Sequence, residues 1–121
     1  MLRRKVTNRL LNWKNNSHKA LLVTGARQIG KSYAIRAFGK DNYASYFEAN
    51  LLLDAEARDV LIGAKNAVDF INRVALLADA PLVEGDTLIF VDEIQEYPQI
   101  VTLMKALVED GRFSYVFSGS M

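Results

Sequence analysis

The stretch of sequence that decides the fold is ALLVTGARQIGKS, residues 20–32. Its first five residues are apolar or β-branched and run into a glycine, which is typical of a buried β-strand. Its last eight residues, GARQIGKS, match the pattern G-x-x-x-x-G-K-[ST] of a phosphate-binding loop, or P-loop. The continuation KSYAIRAF, residues 31–38, predicts a helix that ends at Gly39. The pattern therefore lies between a strand and a helix, which is the context that phosphate binding requires.

The residue types in this loop suit a nucleotide. Gly25 and Gly30 let the backbone curl until its N–H groups face phosphate oxygens, and the start of the following helix adds partial positive charge. Lys31 can reach the β- and γ-phosphates, and the Ser32 hydroxyl can take one coordination position on Mg²⁺. We predict that ATP or ADP binds here with Mg²⁺, and the lack of an N-K-x-D guanine motif favours ATP over GTP. The predicted nucleotide-binding residues are Gly25, Ala26, Arg27, Gln28, Ile29, Gly30, Lys31, Ser32 and Tyr33.

A second segment, TLIFVDEIQ at residues 87–95, supplies an acidic partner for the loop. Its apolar residues predict a strand buried on both faces, with Asp92 at the carboxyl end. In a parallel sheet this end lies beside the P-loop, so Asp92 can help to hold Mg²⁺ opposite Ser32. Glu93 comes next and can orient or deprotonate a water that attacks the γ-phosphate. We predict Ser32 and Asp92 as metal ligands, and Glu93 and Lys31 as catalytic residues.

The rest of the chain alternates between strands and helices. YASYFEAN, residues 43–50, and FSYVFS, residues 113–118, have the composition of strands, while Asp54, Asn66 and Pro98 mark helix starts. This alternation predicts an α/β fold, with a parallel sheet and flanking helices. An apolar stripe predicts one more helix at the N-terminus, formed by Leu2, Val6, Leu10 and Trp13. In the helix after Asn66, the residues expected to face the core are Val68, Ile71, Val74 and either Leu76 or Leu77.

Charge is distributed unevenly along the chain. Residues 1–40 contain ten Lys or Arg and no acidic residue, whereas residues 41–121 contain five basic and all fourteen acidic residues. The basic third can attract a polyanion, either the nucleotide or a nucleic acid, or it can be a solvated helix surface. The chain has no cysteine and one histidine, His18, so disulfides and the usual zinc sites are not expected. No apolar run approaches the roughly 20 residues that span a bilayer, so we expect no membrane partner.

Three segments carry a resemblance to a known family: KALLVTGARQIGKSYAIRAFG, LIFVDEIQEYPQIVTLMKALVEDG and SYVFSGSM. They resemble the N-terminal ATPase region of prokaryotic AAA-type proteins in which a DUF4143-type domain follows. The resemblance spans nearly the whole chain and rests on G-A-R-Q-x-G-K, D-E-I-Q and S-G-S in combination. It implies that residues 25–32 are the Walker A loop and that Asp92 and Glu93 are the Walker B pair. Gln95 belongs to the D-E-I-Q signature without an assigned role.

The resemblance also implies a sensor and a larger architecture. Ser120, in preference to Ser118, resembles the polar sensor that contacts the γ-phosphate or water. An AAA-type core has five parallel strands in the order 5-1-4-3-2, so we expect four of them here in the order 1-4-3-2. Residues 1–121 are therefore predicted to be a partial ATP-binding domain, without the fifth strand, the helical lid and the C-terminal domain. The sheet edge beside the P-loop strand is then open, which favours self-association.

The residues leave three functions open. The one we favour is an ATP- or ADP-binding module from a cytoplasmic prokaryotic ATPase, whose parent hydrolyses ATP with Mg²⁺ while this chain turns over little. The second is a nucleotide-binding module that does not hydrolyse, and the third is a nucleic-acid-binding protein that uses the basic N-terminus. Arg27 and Gln28 either contact phosphate or a neighbouring subunit, or project into solvent.

Overall fold

A computed structural model of the chain describes residues 10–14, 20–24 and 31–119. Strands and helices alternate along these residues, as the sequence predicts. Residues 10–14 are helical and form the described part of α1. The elements that follow are β1 (Ala20–Thr24), α2 (Lys31–Asn42), β2 (Ser45–Asn50), α3 (Ala55–Leu61), α4 (Ala67–Leu77), β3 (Thr87–Asp92), α5 (Pro98–Asp110) and β4 (Ser114–Gly119).

The four strands form one parallel sheet in the order β1-β4-β3-β2. The pairing of β1 with β4 starts at Ala20↔Tyr115, and that of β3 with β4 starts at Leu88↔Ser114. Because all four strands run in the same direction, their carboxyl ends share one edge of the sheet. The chain leaves β1 toward the P-loop residues at this edge, and it leaves β3 at Asp92. That these strands belong to a five-stranded core stays a prediction.

Helices cover both faces of the sheet, and β3 is buried at all six positions. Ile89 and Val91 face a core that they form with α3, α4 and α5. Leu88 and Phe90, which alternate with them, face a second core formed with α1 and α2. A strand between two cores needs an apolar residue on each side, which is why TLIFVD lacks a polar face before Asp92.

The described part of α1 closes the second core. Leu10 is 1% exposed and Trp13 is 7% exposed, and both pack with Ile35 and Phe38 of α2. The apolar stripe predicted for the N-terminal helix is therefore confirmed at Leu10 and Trp13. The first two residues of that stripe, Leu2 and Val6, lie outside the described residues.

Two helices begin at the caps that the sequence predicts. Asp54 accepts a hydrogen bond from the Ala57 N–H at 3.1 Å, and Asn66 accepts one from the Asp69 N–H at 2.8 Å. Each cap satisfies a backbone donor that the start of a helix leaves without a partner inside the helix. At the C-terminal end of a third helix, α5, Gly111 has a φ of 74°, the left-handed conformation in which many helices end. Local signals therefore define these ends.

The helix end predicted at Gly39 is wrong, because α2 continues to Asn42. Gly39 faces the sheet, where a Cβ would lie 2.3 Å from Cδ1 of Tyr46 and 3.0 Å from Cδ2 of Leu88. Only a residue without a side chain leaves room for this approach. The glycine therefore serves close packing between the helix and the sheet, and does not end the helix.

The prediction for α4 is also wrong at one residue, Val68, which was expected to face the core. Val68 is 55% exposed, whereas Phe70, two residues further on, is fully buried. The predicted core positions Ile71 and Val74 are buried, and Leu76 is 82% exposed. The buried face of α4 is thus centred on Phe70 and Val74, which are four residues apart, the spacing that aligns side chains on one side of a helix.

Candidate functional site

Several predicted site residues lie at the carboxyl edge of the sheet. Lys31 and Ser32 open α2, Asp92 ends β3, and Glu93 follows it. Ser118 lies near the end of β4, the strand between β1 and β3. The predicted residues that lie outside the described part of the chain are Gly25, Ala26, Arg27, Gln28, Ile29, Gly30 and Ser120.

One hydrogen bond joins the two predicted motifs. The Ser32 hydroxyl donates to Oδ2 of Asp92 at 3.0 Å, across 60 residues of sequence. The other carboxylate oxygen of Asp92, Oδ1, accepts from the Glu93 backbone N–H at 2.9 Å. Because Asp92 is only 5% exposed, its carboxylate is held in a largely dry position. A hydroxyl and a carboxylate at this distance are oxygen ligands of the kind that Mg²⁺ prefers, so the pair fits the ion that the motifs imply.

Lys31 brings positive charge to the same place. It is the first residue of the 12-residue helix α2, and it is 9% exposed. Lysines are rarely buried to this degree unless the ammonium group meets an anion or hydrogen-bond acceptors. The partial positive charge at the start of the helix adds to the charge of the side chain. The start of α2 therefore has the electrostatics of a phosphate site.

Glu93 has an unusual backbone conformation. Its φ is 62°, and in the described part of the chain no other non-glycine residue has a positive φ. The residue is 9% exposed, and its Oε1 accepts a hydrogen bond from Nε2 of Gln95 at 2.8 Å. A left-handed residue with a side chain costs about 1–2 kcal/mol and persists where its surroundings hold it, often at functional sites. The end of β3 thus presents Glu93 in a fixed and strained conformation.

Ser118 lies one residue beyond the last register pair between β3 and β4. Phe117 of β4 is the register partner of Val91 of β3. Ser118 is the next residue after Phe117, and Asp92 is the next residue after Val91. Ser118 is fully buried, and its Oγ has no hydrogen-bond partner among the described residues. Buried hydroxyls are usually paired, so an exception calls for a partner such as a ligand or an ordered water. Ser118 therefore has the chemistry that the sensor role requires.

Tyr33 is the last of the predicted nucleotide-binding residues. It follows Ser32 on α2 and is 53% exposed. Neighbouring residues on a helix point in different directions, about 100° apart at 3.6 residues per turn. Tyr33 therefore does not share the direction of the Ser32 hydroxyl, and its contact with a nucleotide stays a prediction.

A polar network next to the site was not predicted from the sequence. Arg36 donates from Nε and Nη2 to the two oxygens of Glu48, both at 2.8 Å, and the Tyr46 hydroxyl donates to Oε1 of Glu48 at 2.7 Å. Arg36 lies one helical turn after Ser32, so one stripe of α2 is bonded to β2 through Arg36 and to β3 through Ser32. The spacing of four between Ser32 and Arg36 was the available signal, because it puts both on one side of a helix.

The pKa values in this network follow from its burial and hydrogen bonds. Burial raises the pKa of Glu48, but the hydrogen bonds from Arg36 and Tyr46 outweigh it, so the pKa lies below its usual value. Burial, followed by the hydrogen bond to Glu48, raises the pKa of Tyr46 well above its usual range. The hydrogen bond and charge of Glu48 raise the pKa of Arg36. At neutral pH the network is therefore an ion pair with a neutral phenol donor.

No helix among residues 10–14 and 31–119 combines the length and the hydropathy that crossing a membrane requires.

Comparison with known proteins adds the family. No curated protein matches the chain. A family model described as an AAA domain matches residues 17–121, which is all but the first sixteen residues. Because this match covers most of the chain, and the parallel sheet agrees with it, the chain belongs to the AAA domain family of P-loop ATPase modules.

Proposed function

We propose that the chain is the nucleotide-binding module of an AAA-type ATPase and that it binds ATP or ADP with Mg²⁺. The observation that carries the proposal is the 3.0 Å hydrogen bond from Ser32 to Asp92. It joins the last residue of the P-loop pattern to the acidic residue at the end of β3, which is the pairing that Mg-nucleotide binding uses in P-loop proteins. The family match to residues 17–121 and the buried Lys31 support the same conclusion.

Each side chain has its own role in this proposal. The P-loop and Lys31 bind the β- and γ-phosphates, and Lys31 stabilises the negative charge that spreads over the transferred phosphoryl group. Glu93 orients the attacking water and accepts its proton while the bond between the γ-phosphorus and the bridging oxygen breaks. ADP and inorganic phosphate are the products. The sensor serine, Ser120 or Ser118, donates a hydrogen bond to the γ-phosphate or to the water.

Ser32 and Asp92 would hold the metal. They offer a hydroxyl and a carboxylate oxygen, and Mg²⁺ usually completes its octahedral shell with phosphate oxygens and waters. When bound, the ion neutralises charge on the β- and γ-phosphate oxygens. We therefore expect the metal to bind together with the nucleotide, and to bind weakly without it.

We further propose that residues 1–121 are a partial domain of a cytoplasmic, prokaryotic ATPase and that they turn ATP over slowly. The support is the resemblance to AAA-type proteins that carry a DUF4143-type domain, in which a fifth strand and a helical lid follow these four strands. Catalysis of this kind depends on positioning and on positive charge, and an arginine finger alone contributes about 10³–10⁵ in rate. If such parts complete the site, residues 1–121 on their own should bind nucleotide well and release phosphate slowly.

Calorimetric titration with Mg-ATP tests the binding proposal. Lys31→Ala should weaken the affinity by about tenfold or more, because a hydrogen bond to a charged group is worth about 1.5–3 kcal/mol. Lys40→Ala is the matched control, because Lys40 is an exposed lysine in the last turn of the same helix. It should leave the affinity unchanged. Equal affinities for wild type and Lys31→Ala would contradict the proposal.

Single-turnover phosphate release separates an ATPase module from a nucleotide-binding module that does not hydrolyse. With protein in excess over ATP and readings over hours, the wild type should release phosphate slowly, and Glu93→Gln should release it at least about tenfold more slowly. Rates that do not differ between the two proteins would support the non-hydrolysing module. Binding of Mg-ATP to Glu93→Gln shows that its site is intact.

A further inference from the structure

Gln95, in the turn between β3 and α5, has no part in the function proposed so far. Its side-chain Nε2 donates to Oε1 of Glu93 at 2.8 Å. The reverse orientation of the amide would turn its oxygen toward a carboxylate, so the charge of Glu93 selects the orientation in which Gln95 donates. The contact is therefore specific for an amide opposite a carboxylate.

Gln95 also contacts the end of β4. A Cβ on Gly119 would lie 2.7 Å from the amide oxygen of Gln95, so the absence of a side chain at Gly119 leaves the space that the amide occupies. The backbone of the same turn is bonded to β4, because the Ile94 N–H donates to the Ser118 carbonyl oxygen at 3.0 Å. The turn after β3 is thus fixed against the end of β4, at Ser118 and Gly119.

The backbone contacts of Glu93 do not by themselves fix the position of its carboxylate. Its backbone is in the strained left-handed conformation, with φ at 62°, and its N–H is bonded to Asp92. These contacts fix the backbone, but the carboxylate lies at the end of a flexible side chain. Small displacements of a positioned group can cost a factor of about 10² in rate. A hydrogen bond to the carboxylate itself limits where its oxygens can lie.

We propose that Gln95 is a positioning residue that holds the Glu93 carboxylate in the orientation in which it acts on the attacking water. Gly119 is part of the same device, because its missing side chain makes room for the Gln95 amide. The inference rests on the proposed function, in which Glu93 orients that water. Gln95 acts through Glu93 and is not itself a catalytic residue.

Two variants break the contact from opposite sides. Gln95→Glu keeps the size of the side chain and replaces the N–H donor with an acceptor, and Gly119→Ala puts a methyl carbon 2.7 Å from the amide oxygen, which forces the amide to shift. Each should slow single-turnover phosphate release by about tenfold to a hundredfold. The affinity for Mg-ATP should stay within about twofold, because the phosphate-binding residues are unchanged. Gln99→Glu is the matched control: it makes the same change at an exposed position on α5 and should leave the rate unchanged.

A double variant distinguishes positioning from a structural role. In a Glu93→Gln background there is no carboxylate to position, so Gln95→Glu should cause no further loss of rate. An equal loss in both backgrounds, or a loss of affinity that matches the loss of rate, would assign Gln95 a structural role and overturn the inference.

The remaining outcomes separate the inference from the proposed function. A rate that depends on Glu93 but that Gln95→Glu leaves within about twofold overturns the role of Gln95 alone. A rate that Glu93→Gln does not change refutes the proposed role of Glu93, and the role of Gln95 fails with it.

Discussion

Replacing Gly39 with alanine sets helix propensity against packing. In the interior of an exposed helix, a change from glycine to alanine stabilises by about 1 kcal/mol. On α2, however, the new Cβ would lie 2.3 Å and 2.6 Å from Cδ1 and Cε1 of Tyr46, and 3.0 Å from Cδ2 of Leu88. The sign of the change in stability therefore depends on whether the Tyr46 ring can move aside.

The far end of the Tyr46 ring is held. Its hydroxyl donates to Glu48 at 2.7 Å, and Arg36 holds Glu48 at 2.8 Å. Moving the ring breaks a hydrogen bond to a charged group, at a cost of about 1.5–3 kcal/mol. Keeping the ring in place pushes α2 away from the sheet, and overpacking of this kind costs about 1–3 kcal/mol. After the gain of about 1 kcal/mol in helix propensity is subtracted, we expect Gly39→Ala to destabilise the fold by up to about 2 kcal/mol.

Urea unfolding followed by circular dichroism measures this effect in two backgrounds. In wild type, Gly39→Ala should lower the free energy of unfolding. In a Tyr46→Ala background the ring is absent and only the 3.0 Å approach to Cδ2 of Leu88 remains, so the same substitution should raise the free energy of unfolding by up to about 1 kcal/mol. Stabilisation in wild type, or destabilisation of equal size in both backgrounds, would refute the reasoning.

Three further predictions concern the metal, the pH and the sheet edge. Asp92→Asn should weaken the dependence of ATP binding on Mg²⁺ and leave the far-UV circular dichroism unchanged; metal titrations that overlay would give Asp92 a structural role. The pKa of Glu48 lies below its usual 4.5 in the folded chain. The stability that the ionised carboxylate gives to the fold is therefore present above pH 4.5, and it is lost as the pH falls through the folded-state pKa. Glu48→Gln should therefore lower stability at pH 7 and flatten the loss of stability below pH 4.5, measured by urea unfolding from pH 3 to 7. If β1 is an open edge that pairs with a second copy, the mass from light scattering should fall on dilution; a constant monomer mass would contradict this.

The parts of the fold that were predictable from the sequence depend on local pattern. The run TLIFVD puts apolar residues on both faces of a strand. A strand with one face in solvent would alternate apolar and polar residues instead, so the run predicts a strand buried on both faces. Asp54 and Asn66 act within three residues of themselves, so their caps are visible without the rest of the chain. The P-loop pattern and the D-E pair are likewise short segments. Their meeting through Ser32 and Asp92 follows once the strands are known to be parallel.

The parts that were not predictable depend on contacts between distant residues. Gly39 is a helix stop by local rules, and only the position of the Tyr46 ring shows that it serves packing. The ion pair of Arg36 with Glu48 joins a helix to a strand, and the sequence does not show which carboxylate lies opposite the arginine. The contact of Gln95 with Glu93 depends on the conformation of the turn after β3. The left-handed position in this turn is occupied by Glu93 and not by a glycine, so the sequence does not indicate the turn. In each case the partner is set by the tertiary structure.

The strand order also determines when the site can form during synthesis. Among the described strands β1 pairs with β4 alone, and Ala20 lies opposite Tyr115, so β1 must wait for the fourth of these strands. At about 5–20 residues per second, the 95 residues that follow Ala20, up to and including Tyr115, take about 5–20 s to translate. Until then β1 has no partner among the described strands. Closing so long a separation is slow compared with local pairing, and the earlier strands, β2 and β3, can pair before it. A nucleotide can therefore stabilise the fold only once β4 has arrived and has brought the two halves of its site together.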